Sequence, residues 1–399
     1  LGGRNLDPEK YLRDAEVLLA EVNRHPDDSR STFYLAQSYY DYGDFTNARK
    51  WYARRAEMAE HAAVEDGLFG YLPPALAQRL CEATAQWYAD QYGWAMPAER
   101  VRLLPDVIRG FEEAMNTFSE PGTPIVLPTP AYMPFLTLPA LHDRELVELP
   151  MVCEQGGWRL DLDDLDAALR GGGLLVMCNP HNPIGKVYTA EELRAISEVV
   201  QRRGARVFSD EIHAPLVYAG TRHVPYATVS DAAAAHTVTA TSASKAWNLP
   251  GLKCAQLVLS NAADVARFDQ DGWWTSHGTS TVGVVANIAA YTAGTPWLDE
   301  VMAYLAGNRA ALGTMLTELL PEVGYLPPEG TYLAWLDCRA LDLADPYAFF
   351  AEHAAVQLTD GILCGAAGQG HVRLNFAMPR ALLEQAVEAM ADALRRRSA

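Results

Sequence analysis

The chain has 399 residues, about half of them apolar and a fifth charged, a balance that fits an ordinary globular protein and excludes a disordered or fibrous one. Fifty acidic residues against thirty-two basic ones give a formal charge of -18, which repels nucleic-acid backbones and anionic lipid surfaces and so disfavours both as partners. At roughly 150 residues per domain, the length predicts two or three domains with a sizeable buried interior.

From the N-terminus, Tyr11 to Pro26 and then Asp28 to Met58 read as amphipathic helices, the latter stretch broken by a turn at Gly43, with Leu35, Ala36, Tyr39, Ala48 and Tyr52 on compatible faces. The longer stretch resembles one tetratricopeptide repeat, and the shorter one the second helix of a preceding repeat. Together they make about one and a half units where roughly three are needed for independent stability, so the segment must lean on something else. From Val64 onward short apolar runs alternate with longer amphipathic helices, which predicts an α/β unit with a mostly parallel sheet. Three runs end in polar clusters: Leu174 to Cys178 before Asn179-Pro180, Ala205 to Ser209 before Asp210-Glu211, and Thr237 to Thr241 before Ser242 to Lys245. Ligands in open α/β sheets sit beyond the carboxyl ends of strands, so the three clusters are candidates for one site. A long helical pattern then runs from Trp297 to about Leu320, followed by short strands near Thr331 to Asp337 and His371 to Phe376 and a last helix from Arg380. The expected organisation is a helical segment at 1–60, a large α/β domain at 61–300 and a smaller α+β domain at 301–399.

Other features are quiet. Arg395, Arg396 and Arg397 close the last helix, where cations complement the helix dipole. Cys81, Cys153, Cys178, Cys254, Cys338 and Cys364 form no C-x-x-C pair, which points to reduced thiols rather than a zinc knuckle or a disulfide framework. No apolar run approaches the roughly 18 residues that span a bilayer, and the N-terminus has no leader pattern, so the expected location is the cytoplasm. His181, His213 and His223 lack H-E-x-x-H or similar spacing, and no metal is expected.

The segment TATSASKAWNLPGLKCAQ, with NPHNPIGKVYT and FSDEIHAPLVY upstream, resembles the fold-type I pyridoxal-phosphate enzymes of the class I/II aminotransferase superfamily, in particular the cystathionine β-lyase and carbon-sulfur lyase branch, over roughly residues 62 to 399. The resemblance implies pyridoxal 5'-phosphate as cofactor, an aminotransferase-like large domain, and a homodimer acting on a small amino-acid substrate. By it Lys245 is the Schiff-base lysine and Asp210 the carboxylate that keeps the pyridine nitrogen protonated, so that the ring accepts electrons from the substrate Cα. Ser242, Ser244 and Lys253 correspond to phosphate-binding positions, and Val107 and Ile108 to a helix start that meets the phosphate through backbone amides. Asn182 matches the partner of the ring's phenolic oxygen, Tyr132 a stacking aromatic, and His213 a histidine of the lyase branch. Arg373 matches the arginine that grips the substrate carboxylate, and Tyr71 a tyrosine that reaches the phosphate of a neighbouring subunit.

Ordinary structural roles stand beside these: a strand-end acid for Asp210, a loop residue for Asn182, core packing for Tyr132 and His213, an edge-strand arginine for Arg373. The expected reaction is β-elimination from L-cystathionine or another L-cysteine conjugate. Transamination by the same apparatus and a catalytically silent scaffold are the alternatives. The resemblance departs before residue 60, where family members carry a tryptophan-rich arm lining the substrate pocket. Here repeat-like helices stand in its place, joined near Ala59-Glu60-His61, which implies either a fusion whose repeats bind a protein partner or a chimeric coding sequence.

Overall fold

Three helices, α1 (Pro8–Arg24), α2 (Ser29–Tyr42) and α3 (Phe45–Glu57), come first in the structure, a computed structural model that describes residues 8–26, 28–57, 70–154 and 157–398. Asp28 and Asp44 start α2 and α3, each carboxylate accepting the amide three residues on, Ser31 N and Asn47 N, at 3.0 Å. Gly43 links the two helices at φ +96°, a backbone conformation that side chains with a Cβ resist. Ala15, Leu18, Val22, Leu35, Ala36 and Trp51 form the core of this segment. Leu382 from the C-terminal helix packs against that core, which supplies the outside support so short a helical stack needs. The expected junction at Ala59 to His61, and with it the boundary after residue 60, lies outside the described residues.

The large sheet contains β1 (Val101–Leu104), β2 (Ile125–Thr129), β3 (Leu146–Pro150), β6 (Leu174–Cys178), β7 (Arg206–Asp210), β8 (Thr237–Thr241) and β9 (Ala255–Leu259), with β4 (Val152–Glu154) and β5 (Gly157–Arg159) forming a separate hairpin. Its order is β1-β9-β8-β7-β6-β2-β3, and β9 is antiparallel to both neighbours, so the other six strands run one way. Both faces are covered, which is why the inner strands read as continuous apolar runs. Ile125, Leu174, Val176 and Phe208 face one core with Phe111 and Phe135, whereas Val126, Leu175, Met177 and Val207 face another with Leu165, Leu193 and Ile196. The strand expected over Ala205 to Ser209 begins one residue later, because the Ala205 amide closes the preceding helix on the Val200 carbonyl at 3.1 Å. Asp210 is therefore the last rung of β7, registered with Cys178 of β6 and Ala240 of β8.

The second sheet is antiparallel, in the order β10 (Gly324–Tyr325), β11 (Leu333–Asp337), β13 (His371–Asn375), β12 (Thr359–Asp360). β11 starts at Leu333 rather than Thr331, since Thr331 turns through φ +67°. The predicted long helix spans Thr295–Leu319 and runs unbroken past residue 300. The last helix spans Arg380–Ser398.

Candidate active site

β6, β7 and β8 are parallel neighbours, so their carboxyl ends lie along one edge of the sheet, and the three polar clusters that follow them meet there. A cavity of about 210 Å³ opens at that edge, with Asn182, Asp210, His213, Ser244 and Lys245 in its wall. Tyr132, Lys253, Val107 and Ile108 complete the set that the sequence places there. Three candidates lie elsewhere. The Ser242 hydroxyl donates to the Cys254 carbonyl at 2.7 Å and accepts the Ser244 amide at 3.0 Å, bracing the turn that carries Lys245. Arg373 stands behind Asn182, to whose Oδ1 its Nη1 donates at 3.0 Å, while Nη2 donates to Thr359 Oγ1 at 3.1 Å. Tyr71 is 92% exposed and borders a separate surface groove with Trp273 and His277.

Burial sets the electrostatics. Asp210 is pushed up to about 6, first by desolvation, against the Ile212 amide that donates to its Oδ1 at 3.1 Å and the charge of Lys245. Burial lowers Lys245, the Asp210 charge opposes this by raising it, and the Arg373 charge lowers it further. His213 falls to about 3 through burial and the charges of Lys245 and Arg373, so its ring is neutral. Burial and the Asp210 charge raise the Tyr132 phenol.

The cavity has the donors and acceptors of a polar, aromatic ligand. His213 Nδ1 is buried without a hydrogen-bond partner among the described residues. At the opposite character stands Asp210, a buried carboxylate that a cationic ring nitrogen would return to its charged form. α4 (Val107–Thr117, the helix after β1) begins at the wall, with Asp106 as its N-cap accepting the Arg109 amide at 2.9 Å, so the positive end of its dipole faces the space. Lys253 adds a cation there, its Nζ 3.0 Å from Asp106 Oδ2 in an exposed and therefore weak pair. Pyridoxal 5'-phosphate matches this set: a phosphate for the helix start and Lys253, an aldehyde for Lys245, a ring nitrogen for Asp210.

Sequence reasoning missed Asp106, Ile212, Pro250 and Cys254 in the wall, and Cys178 behind it. Asp106 was legible as a helix start, an acid three residues before Arg109. Cys178 carries no such signal; its Sγ lies 3.8 Å from Asp210 Oδ2 only because register sets the two strand ends side by side.

Over residues 32–390 the chain matches the family described as aminotransferase class I and II. It belongs to that family. The match begins about thirty residues before the point at which the motifs alone place the start of the resemblance, and so takes in α2 and α3. Within the family, the chain is similar to the cystathionine beta-lyase of Corynebacterium glutamicum, 38% identical over 334 residues that cover 83% of this chain and 88% of the relative. It is 31% identical to the cystathionine beta-lyase PatB of Bacillus subtilis (strain 168), over 83% of this chain and 86% of the relative. Among solved structures, cystalysin of Treponema denticola, which contains pyridoxal 5'-phosphate, superposes with a TM-score of 0.79 at 26% identity, covering 84% of this chain and 85% of that one.

Proposed function

We propose that this chain is a pyridoxal 5'-phosphate-dependent carbon-sulfur β-lyase that converts L-cystathionine, or a related L-cysteine conjugate, and water to a thiol, pyruvate and ammonia. The observation that carries the reading is the convergence of Lys245 and Asp210 on one cavity from the ends of neighbouring parallel strands, with Asn182 and His213 in the same wall. The names of the Corynebacterium and Bacillus relatives support it.

Pyridoxal phosphate, when bound, supplies an aldehyde for amines and a protonated ring that withdraws electrons from the substrate Cα. Lys245 would be the amine that holds the cofactor's aldehyde and the base placed to take the substrate's Cα proton. Its lowered basicity makes the uncharged amine available nearer neutral pH. Asp210 keeps a proton on the ring nitrogen. Asn182 has its Oδ1 committed to Arg373, which leaves its amide N–H groups to donate to the phenolic oxygen. Arg373 has further N–H groups for the substrate carboxylate, so one guanidinium orients both the cofactor's partner and the substrate. Val107 and Ile108 amides, Ser244 and Lys253 hold the phosphate, Ser242 braces them, and Tyr132 stacks on the ring.

The functional unit in this reading is a homodimer in the cytoplasm. Exposed Tyr71, Trp273 and Trp274 lie together on one surface, a patch that a second copy would cover and through which Tyr71 would reach that copy's phosphate. The six cysteines are all free, as a reducing compartment requires. No helix among the described residues is long and apolar enough to cross a membrane.

The test is product analysis on protein loaded with pyridoxal phosphate and given L-cystathionine. Pyruvate and free thiol in equal amounts are expected. A keto acid with accumulating pyridoxamine phosphate makes the chain an aminotransferase, and failure to take up the cofactor, read as no visible absorbance after reconstitution, makes it a scaffold.

A further inference from the structure

A second, smaller cavity of about 70 Å³ lies on the other side of Lys245. Among the described residues Lys245 is common to its wall and to that of the main cavity, so the two spaces adjoin at the residue on which the proposed chemistry centres. The N-terminal helices contribute to this wall through Tyr34 of α2. Its hydroxyl donates to the Ala377 carbonyl at 3.4 Å. The Ala377 amide in turn donates to Asn375 Oδ1 at 2.8 Å, two residues beyond Arg373 on the same strand end. Tyr332 in the same wall packs its ring on His213 at 5.7 Å between centroids, and His213 lines the main cavity. The helical segment is thus tied to the end of the strand that carries Arg373.

We infer that this cavity receives the sulfur substituent of the substrate, and that Tyr34 selects L-cysteine thioethers whose substituent is short and uncharged over conjugates with a charged distal end. The inference rests on the lyase reading above. Its grounds are size and charge. At about 30 Å³ for each water's share of liquid volume, the space of about 70 Å³ holds a group of roughly two to three heavy atoms. Apart from Lys245, the described residues that line it include no ionised side chain; the rest are aliphatic, aromatic or amide. An ammonium brought there, such as the one at the distal end of L-cystathionine, would lose its hydration without gaining a counter-ion. A methyl or allyl group on sulfur would meet Tyr34, Trp297 and Leu305 instead.

The test uses the full-length holoenzyme and its Tyr34→Ala and Tyr34→Phe variants, with pyruvate release measured from S-methyl-L-cysteine and from L-cystathionine. Wild type is expected to prefer the methyl thioether in kcat/KM. Tyr34→Ala is expected to lose that preference by roughly ten- to a hundredfold through KM, the range for a pocket contact of this size, while Tyr34→Phe retains most of it. A readout independent of turnover is thiol labelling of Tyr34→Cys, located by mass spectrometry. L-norvaline, the carbon isostere of the thioether, is expected to slow labelling at position 34 several-fold, and L-alanine, which has no group to fill the cavity, is not. If norvaline inhibits pyruvate release yet leaves labelling unchanged, or if Tyr34→Ala keeps the wild-type preference, the inference is wrong while the lyase reading stands. If wild type releases pyruvate from neither thioether after cofactor loading, the lyase reading falls first and takes the inference with it.

Discussion

His181 holds the loop that presents Asn182, and replacing it with glutamine isolates one contribution to acid stability. The imidazole is fully enclosed, Nε2 donating to the Pro130 carbonyl at 2.9 Å and Nδ1 facing the Tyr188 hydroxyl at 3.2 Å, so the loop of Asn182 is tied to the turn of Tyr132. Burial, helped by the nearby Lys186 charge and opposed by the Pro130 hydrogen bond, lowers its pKa from 6.5 to about 4. The unfolded chain therefore takes up this proton first on acidification. Stability from the neutral ring is complete above about pH 6.5 and drains away as pH falls toward 4. At about 1.4 kcal/mol per pKa unit, the full loss is about 3.5 kcal/mol, of which about 2 kcal/mol falls between roughly pH 7 and pH 5. Glutamine can keep a donor for Pro130 without titrating, so His181→Gln should lose about 2 kcal/mol less than wild type over that interval. Asp210 works in the opposite sense: its pKa is raised to about 6, so its ionisation costs stability as pH rises and acidification returns it. That background is common to both proteins and cancels in the comparison. Urea unfolding of the holoenzyme pair at the two pH values, followed by tryptophan fluorescence, gives the difference. Equal losses would refute the reasoning.

Arg373→Lys should raise KM for the amino-acid substrate roughly ten- to a hundredfold, because a lysine cannot hold Asn182 and Thr359 and still grip a carboxylate in two places; an unchanged KM in steady-state assays would count against the assignment. Gly185→Ala should lower the melting temperature and cofactor uptake together. Gly185 sits at φ +69°, where its amide closes the turn on the His181 carbonyl at 2.7 Å, and a Cβ there would lie 2.1 Å from Pro328 Cβ. The combined strain and overlap are on the order of 2 to 4 kcal/mol, and a variant that melts and loads like wild type would show that the turn does not position Asn182.

What the sequence made legible follows from how the sheet is buried. Strands covered on both faces carry apolar and small hydroxyl residues, so the run of larger polar or turn residues after Cys178, Ser209 and Thr241 marks where each strand leaves the core, and parallel order brings those exits to one edge. Hydroxyl direction was not legible in this way. Ser242 and Ser244 are two residues apart on the same turn, yet one bonds the Cys254 carbonyl and the other faces the cavity, a division set by the approach of a segment ten residues further on. Tyr34 was less legible still. Its place beside Lys245 depends on α2 meeting the end of β13 across more than three hundred residues of chain, a contact that no local periodicity encodes.

The Asp210-Glu211 pair shows how structure divides two identical charges that sequence offers side by side. Glu211 is fully enclosed and already engaged, accepting from the Ser209 hydroxyl at 2.9 Å, the Tyr226 amide at 3.0 Å and the Tyr88 hydroxyl at 3.3 Å, with His223 Nε2 at 3.2 Å. Asp210, the last rung of its strand, points to the cavity with one amide and one distant thiol as neighbours. A buried carboxylate with so few donors is poorly stabilised as an anion, which is why desolvation dominates its pKa. A cation placed against it recovers what burial removed. The same deficit suits Asp210 to the proposed role beside a protonated ring nitrogen, while Glu211 uses its charge to hold the surrounding strands and loops in position.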